Sequence, residues 1–178
     1  MTPDPTAYIA AVAAVADDLR AIGLDPVLVG GMALVVLGSR RVTRDFDFVV
    51  RSPAERLPAL VDLLYQRGLE LVSRLDAAGE VAATIRNRAV AKARLRIDQP
   101  GSAYFFNPDT RLRIDLLFDF PLPVDGLAAR ATRMKIAGHR FTIASDADLL
   151  QLKRIAAAAR AFSGDAQDIA FLEARLKQ

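Results

Sequence analysis

Asp45 and Asp47 flank one phenylalanine in the run Asp45-Phe46-Asp47-Phe48-Val49-Val50. Its alternation and apolar content predict a strand. Side chains alternate across a strand, so the two carboxylates share one face, while Phe46 and Phe48 share the other. Their Cα atoms should lie about 6.5–7 Å apart. Carboxylates placed in this way can converge on divalent metals, and a metal pair about 3.5–4 Å apart can clamp both oxygens of an in-line phosphoryl displacement. Upstream, Val27-Leu28-Val29 reads as a short buried strand broken by Gly30-Gly31. A Gly-Gly turn lets backbone N–H groups approach an anion, and the start of the following helix favours negative charge. Downstream, Asp115 sits in the alternating run Arg111-Leu112-Arg113-Ile114-Asp115-Leu116-Leu117.

Taken in order, these fragments resemble the DNA polymerase β-like nucleotidyltransferase superfamily. Its signature is Gly-Gly or Gly-Ser, a short helix, Asp-x-Asp on a strand, and a third carboxylate on a later strand. Farther on, Lys153, Ala156 and Arg160, then Asp165-Ala166-Gln167-Asp168-Ile169, resemble the Lys-x-x-Ala-x-x-x-Arg and Asp-x-x-Asp-Ile segments of the abortive-infection type nucleotidyltransferase toxins. The resemblance spans about residues 30–169. It implies an α/β (α+β) fold, a small mixed sheet flanked by helices with two helices at the C-terminus. It also implies transfer of a nucleoside monophosphate from a nucleoside triphosphate to an acceptor, with Mg²⁺ or Mn²⁺ as cofactor. Asp45 and Asp47 would hold the metal on the triphosphate. Asp115, with both of them, would hold a second metal and orient the acceptor hydroxyl. Gly30 and Gly31 would cradle phosphates, and Arg41, Thr43 and Lys153 would offset their charge. Either Asp168 or Asp165 would lie near the nucleotide. The implied acceptors are a tRNA, a protein or a small molecule, and the likeness to toxins makes an antitoxin protein a candidate partner. An inactive nucleotide-binding module of the same fold is the alternative.

Two positions depart from the pattern. Many relatives carry Ser where this chain has Gly31, and a basic residue where it has Gly164. The Gly-Gly form also resembles tRNA CCA-adding enzymes, which are much longer.

The remaining elements follow from periodicity and capping. Asp4-Pro5 predicts a helix start, and Tyr8, Val12, Val15, Leu19 and Ile22 form one apolar face that Gly23 ends. Ser52-Pro53-Ala54-Glu55 reads as a capping box ahead of a helix through Leu57, Leu60, Val61 and Leu64. A short strand is expected over Leu69–Ser73, a helix over Asp76–Asn87 and a strand over Ala91–Ile97. Hairpins are expected about residues 107–110 and 137–139, the second with His139 in its turn. Residues 145–177 read as two helices, with Leu149, Leu152, Ala156 and Ala159 buried on the first and Ile169, Leu172 and Leu176 on the second. In the strand reading of Ala91–Ile97, Lys92, Arg94 and Arg96 share one face, as do Arg111, Arg113 and Asp115 on theirs. A basic sheet face beside a metal site would suit a phosphate-bearing acceptor such as RNA.

At 178 residues the chain is of single-domain length. It contains no cysteine, so disulfides, thiolate metal sites and cysteine nucleophiles are excluded. Its one histidine argues against a Ser-His-Asp triad. The longest uncharged run, Pro26–Ser39, is shorter than the roughly 18–20 residues that span a bilayer, so a cytoplasmic protein with no membrane partner is expected.

Overall fold

The computed structural model describes residues 5–159 and 163–178. The expected cap at Asp4 and the family-like Arg160 lie outside the described residues. Helix α1 (Pro5–Ala21) buries Val12, Val15 and Leu19. It ends as its sequence predicts: Gly23 adopts φ +77°, and the Leu24 N–H donates to the Leu19 carbonyl at 3.0 Å, folding the buried Leu24 back on the helix.

Strand β1 (Val27–Val29) runs directly into α2 (Gly30–Val36), and β2 (Asp45–Val50) returns antiparallel beside β1, with Val29 opposite Asp47. Next come a 3-10 turn at Ala54–Arg56 and helix α3 (Leu57–Gln66). No side chain caps either element, so the expected capping box is absent. Instead the Ser52 N–H donates to Asp119 at 2.8 Å, which fastens this loop to the end of a neighbouring strand.

Two expected elements exchange type. Residues 76–87, expected as a helix, form the turn and second strand of a hairpin, β3 (Glu70–Leu75) and β4 (Val81–Ile85). Asp76 makes the turn, its Oδ1 accepting from Ala78 N and Glu80 N at 2.8 and 2.9 Å. Ala91–Ile97, expected as a strand, lies inside helix α4 (Arg88–Asp98). Asn87 decides the outcome: its side chain caps the helix by accepting from Ala89 N and Val90 N at 2.9 and 3.2 Å. Only Ala91 and Leu95, four apart on one helical face, are buried. Lys92 and Arg88 pair with Asp62 on α3, and Arg94 pairs with Asp98. The basic sheet face expected from alternation is therefore absent.

Both expected hairpins form, although His139, expected in the second turn, opens a strand and pairs with Ile136. β5 (Ser102–Phe106) and β6 (Arg113–Phe118) form the first hairpin, and after α5 (Val124–Arg130), β7 (Thr132–Ile136) and β8 (His139–Ile143) form the second. Arg111 precedes β6, at φ +65° with its guanidinium over Phe106, so it does not share the face of Asp115. Helices α6 (Asp146–Ala159) and α7 (Ser163–Leu176) close the chain. Ser145 caps α6, its Oγ accepting from Asp148 N at 3.2 Å. Leu176 is 49% exposed and Ala159 is exposed, since the last turns of both helices run past the packed part.

The eight strands form one mixed sheet ordered β4-β3-β5-β6-β2-β1-β8-β7. Only the β2–β6 and β1–β8 pairs are parallel. One face carries Phe46, Phe48, Ile114, Leu116 and Phe105, which join the buried side chains of α1, α3 and α4 in a single core. The aspartates lie on the other face. No helix among the described residues is long and apolar enough to cross a membrane.

Since Asn87 closes the open end of α4, Asn87→Ala is expected to cost about 1 kcal/mol. A fall in the urea midpoint with an unchanged denaturant slope would show it.

Candidate active site

The register of two parallel strands assembles the site. β2 and β6 pair with Asp45 opposite Arg113 and Asp47 opposite Asp115. The pleat turns Asp45, Asp47, Arg113 and Asp115 to one face. Three carboxylates expected from separate fragments thus stand together on neighbouring strands.

Gly30 borders them, because it follows Val29, the partner of Asp47 across β1–β2. It adopts φ +69°, and an added Cβ would lie 2.8 Å from Cγ of Asp47 and overlap its Oδ2. Glycine is required there on both counts. At Gly31 an added Cβ would meet the Arg41 guanidinium, 2.7 Å from Nε. The absence of a side chain at both glycines is what lets a carboxylate and a guanidinium approach the start of α2.

Charge is unbalanced on the carboxylate side. Burial, then the charges of Asp115 and Asp45, push the Asp47 carboxyl up to about 7, against a partial offset from Lys153 and Arg113. Burial raises Asp45 and Asp115 as well. The cation bonded directly to this cluster is Arg113, its side chain only 14% exposed, which grips both oxygens of Asp115 at 2.8 Å and lies 4.0 Å from Asp45. It also donates to the Gly79 carbonyl at 2.9 Å and lies over the Tyr104 ring, tying the β3–β4 turn to the site. The sequence marks Arg113 only as a residue in phase with Asp115. Its part as the internal counter-ion of Asp115 depends on the fork geometry of the guanidinium.

The other candidates gather on the α2–β2 loop and the two last helices. Lys153 of α6 reaches Asp168 at 2.7 Å and Asp165 at 3.5 Å. Arg41 also pairs with Asp168. Lys153, Asp165 and Asp168 are all buried. Lys153 therefore belongs to the packed side of α6 and is no solvated lysine. Beside this cluster lies a cleft of about 440 Å³, lined by Ser39, Arg40, Arg41, Val42, Gly164, Gln167 and Asp168. Gly164 adds no charge of its own to that lining. Thr43 stays outside the ion network. A second cleft, between the α3 entry and the end of α4, holds none of the candidate residues.

Among the described residues, no three His, Cys, Asp or Glu side chains form a ready-made metal cage. The donors nevertheless fit a hard divalent cation: all are carboxylate oxygens, they repel one another, and burial together with the charges of Asp115 and Asp45 disfavours the ionised form of Asp47. Mg²⁺ is commonly held by one or two carboxylates together with substrate phosphates, without an all-protein cage.

No family model and no curated protein matches the sequence. Solved structures do match in fold. The lincomycin-bound lincosamide antibiotic adenylyltransferase LnuA is similar at TM-score 0.56 and 13% identity, over 92% of this chain and 95% of that one. The antibiotic-resistance factor ANT(2'')-Ia is similar at TM-score 0.59 and 14% identity, over 99% and 86%. An antigenic nucleotidyltransferase-like protein from Paracoccidioides brasiliensis is similar at TM-score 0.59 and 18% identity, over 93% and 74%. The chain therefore has the nucleotidyltransferase fold.

Two outcomes follow from the charges. The folded protein keeps a proton on Asp47 that the unfolded chain gives up near pH 4, so stability in a chelator should fall between about pH 4 and 7 and level off above, by up to about 1.4 kcal/mol per pH unit. Thermal melts of Asp47→Asn should show a shallower decline, and Mg²⁺ at pH 8 should raise the melting temperature of the wild type but not of the variant. Lys153→Ala removes a buried cation that contacts both Asp165 and Asp168, so it should cost about 3–5 kcal/mol, visible as a large loss in chemical denaturation.

Proposed function

We propose that the protein is a Mg²⁺-dependent nucleotidyltransferase that moves a nucleoside monophosphate from a nucleoside triphosphate to a hydroxyl acceptor. One observation carries this reading: the β2–β6 register sets Asp47 beside Asp115, with Asp45 one pleat away on the same face. Asp45 and Asp47 would hold the divalent metal and Asp115 would complete the set. When bound, the metal supplies charge neutralisation at the reacting phosphate.

The chain's own groups do the rest. Gly30 and Gly31 open the start of α2 to the triphosphate oxygens. Arg41 and Lys153 flank that opening and offset the charge that builds on the leaving pyrophosphate. To do so they must share or leave Asp168, which makes Asp168 the resident anion of the nucleotide side. Asp115 faces the acceptor side and accepts the hydrogen bond of the attacking hydroxyl, and Arg113 holds the carboxylate in orientation.

The acceptor is a tRNA, a protein or a small molecule. The basic sheet face that would favour RNA is not part of the fold. One structural relative is named as an antibiotic adenylyltransferase and another as an antibiotic-resistance factor, which makes small hydroxylated molecules the first acceptors to test. A toxin-like role with an antitoxin partner rests on the Lys153 and Asp165–Asp168 segments alone.

A second reading has its own observation. Arg113 engages both oxygens of Asp115, as it would in a module that binds nucleotide without turnover. An ionised carboxylate keeps further acceptor sites when bound in this way, so the two readings differ in activity. Each α-labelled triphosphate should be supplied with Mg²⁺, candidate antibiotics and a total cell extract. Transfer of label with pyrophosphate release is expected, and Asp47→Asn should lower it more than about 100-fold, the upper end of what losing a partner one shell out from a metal costs. Tight Mg²⁺-dependent binding of nucleotide without pyrophosphate release would establish the binding module instead.

A further inference from the structure

The sheet has two edges, and they differ in how they meet solvent. Edge strand β7, Thr132–Ile136, carries Arg133 and Lys135, charges that discourage pairing with another chain. Edge strand β4, Val81-Ala82-Ala83-Thr84-Ile85, carries neither charge nor proline, and its outer side has no partner strand. Its ends are charged with opposite sign. Glu80 precedes it, exposed and without a salt bridge among the described residues. Arg86 follows it with an 89% exposed side chain, its partner Glu70 only at 3.8 Å.

The helix beside this edge shows a matching feature. α4 follows β4 after two residues and packs against both β4 and α3. Lys92 and Arg88 turn toward Asp62 on α3. Val90, Arg94 and Ile97 lie roughly half a turn away from Lys92, on the side facing away from α3. Val90 is 52% exposed and Ile97 74%, two of the few large aliphatics left in solvent. Since α4 packs against β4, the open strand edge and this stripe of α4 belong to neighbouring elements and are taken together as one rim.

We propose that this rim is a homodimer interface, in which two copies meet about a two-fold axis at Ala83 with their β4 strands antiparallel. The sequence is self-complementary in that register. Val81 faces Ile85 of the second copy, Ala82 faces Thr84, and each Glu80 meets the Arg86 of the other chain at both ends. The same axis sets α4 antiparallel to its copy and places Val90 against Ile97 twice. A two-fold contact uses one patch on both partners, so every favourable pair counts double. The pairing of β4 with β3 shifts register at Ser73 and Ala82, a bulge that twists part of this edge away from a partner. The contact is accordingly short, held by its charged ends and the helix stripe.

Sedimentation velocity on the full chain over a concentration series tests the proposal. A monomer–dimer equilibrium is expected. Val90→Asp and Ile97→Asp should each shift it to monomer with an unchanged circular dichroism spectrum. Glu80→Arg alone or Arg86→Glu alone should weaken the dimer at least about tenfold by setting like charges opposite each other, and the double exchange should restore it. Paired Cα atoms in an antiparallel ladder lie about 4.5–5.5 Å apart, within disulfide reach. Because the chain has no cysteine, Ala83→Cys should cross-link two copies on mild oxidation, far faster than Ala137→Cys in the β7–β8 turn. A monomer at every concentration would overturn the proposal. So would a dimer indifferent to the aspartates and unrestored by the double exchange, or equal cross-linking from the two cysteine positions.

Discussion

The parallel pairing of β2 with β6 is the constraint on which the rest of the molecule depends. Slipping it by one residue would send Asp47 or Asp115 into the core and Phe48 or Leu116 into solvent, because the side-chain period of a strand is two. The register is held from the far side of the sheet, where Phe46, Phe48, Ile114 and Leu116 are all buried at 3% exposure or less. Burying a large aliphatic or aromatic side chain contributes about 1.5–3 kcal/mol, enough in sum to hold together carboxylates that repel one another on the opposite face. The core is thus the physical reason that a destabilising anionic cluster persists.

That cluster is managed unevenly. At the sheet one guanidinium, Arg113, neutralises Asp115 and anchors the β3–β4 turn, while Asp47 has no ion pair among the described residues. Beside the last two helices cations and anions are matched in a cluster of Arg41, Lys153, Asp165 and Asp168. A buried charge left unpaired is far more costly than the pair is stabilising, so these groups keep the α2–β2 loop and the two C-terminal helices in fixed relation. The glycines at the start of α2 join the two halves, since Gly30 abuts Asp47 and Gly31 abuts Arg41. Under the proposed activity, a triphosphate and its metal would meet a surplus of negative charge on one flank and cations already engaged on the other.

Much of this was legible before the fold was known. The Asp-Phe-Asp alternation, the Gly-Gly break and the Arg-Ile-Asp strand are local patterns whose meaning depends only on backbone geometry, and each landed on its expected element. Two neighbouring stretches adopt the opposite element from the one their local pattern predicts. In Ala91–Ile97 polar and apolar residues alternate, which satisfies a period of two, yet Ala91 and Leu95 also satisfy a helical spacing of four. The pattern alone is degenerate over so short a run. Asn87 broke the degeneracy by capping the helix, and Asp76 did so for residues 76–87 by making the turn of a hairpin.

The sequence by itself determined the inventory of chemistry: three aspartates on strands, a glycine pair ahead of a short helix, and a lysine with an Asp-x-x-Asp segment near the C-terminus. It did so because strand parity and helix spacing are properties of a single segment. Which strands became neighbours, that Asp47 stands in register with Asp115, that Lys153 is buried between two aspartates, and that Arg113 serves as a counter-ion, only the tertiary structure decided. Those facts are distances between residues far apart in the chain, set by the packing of a core to which none of these charged groups belongs.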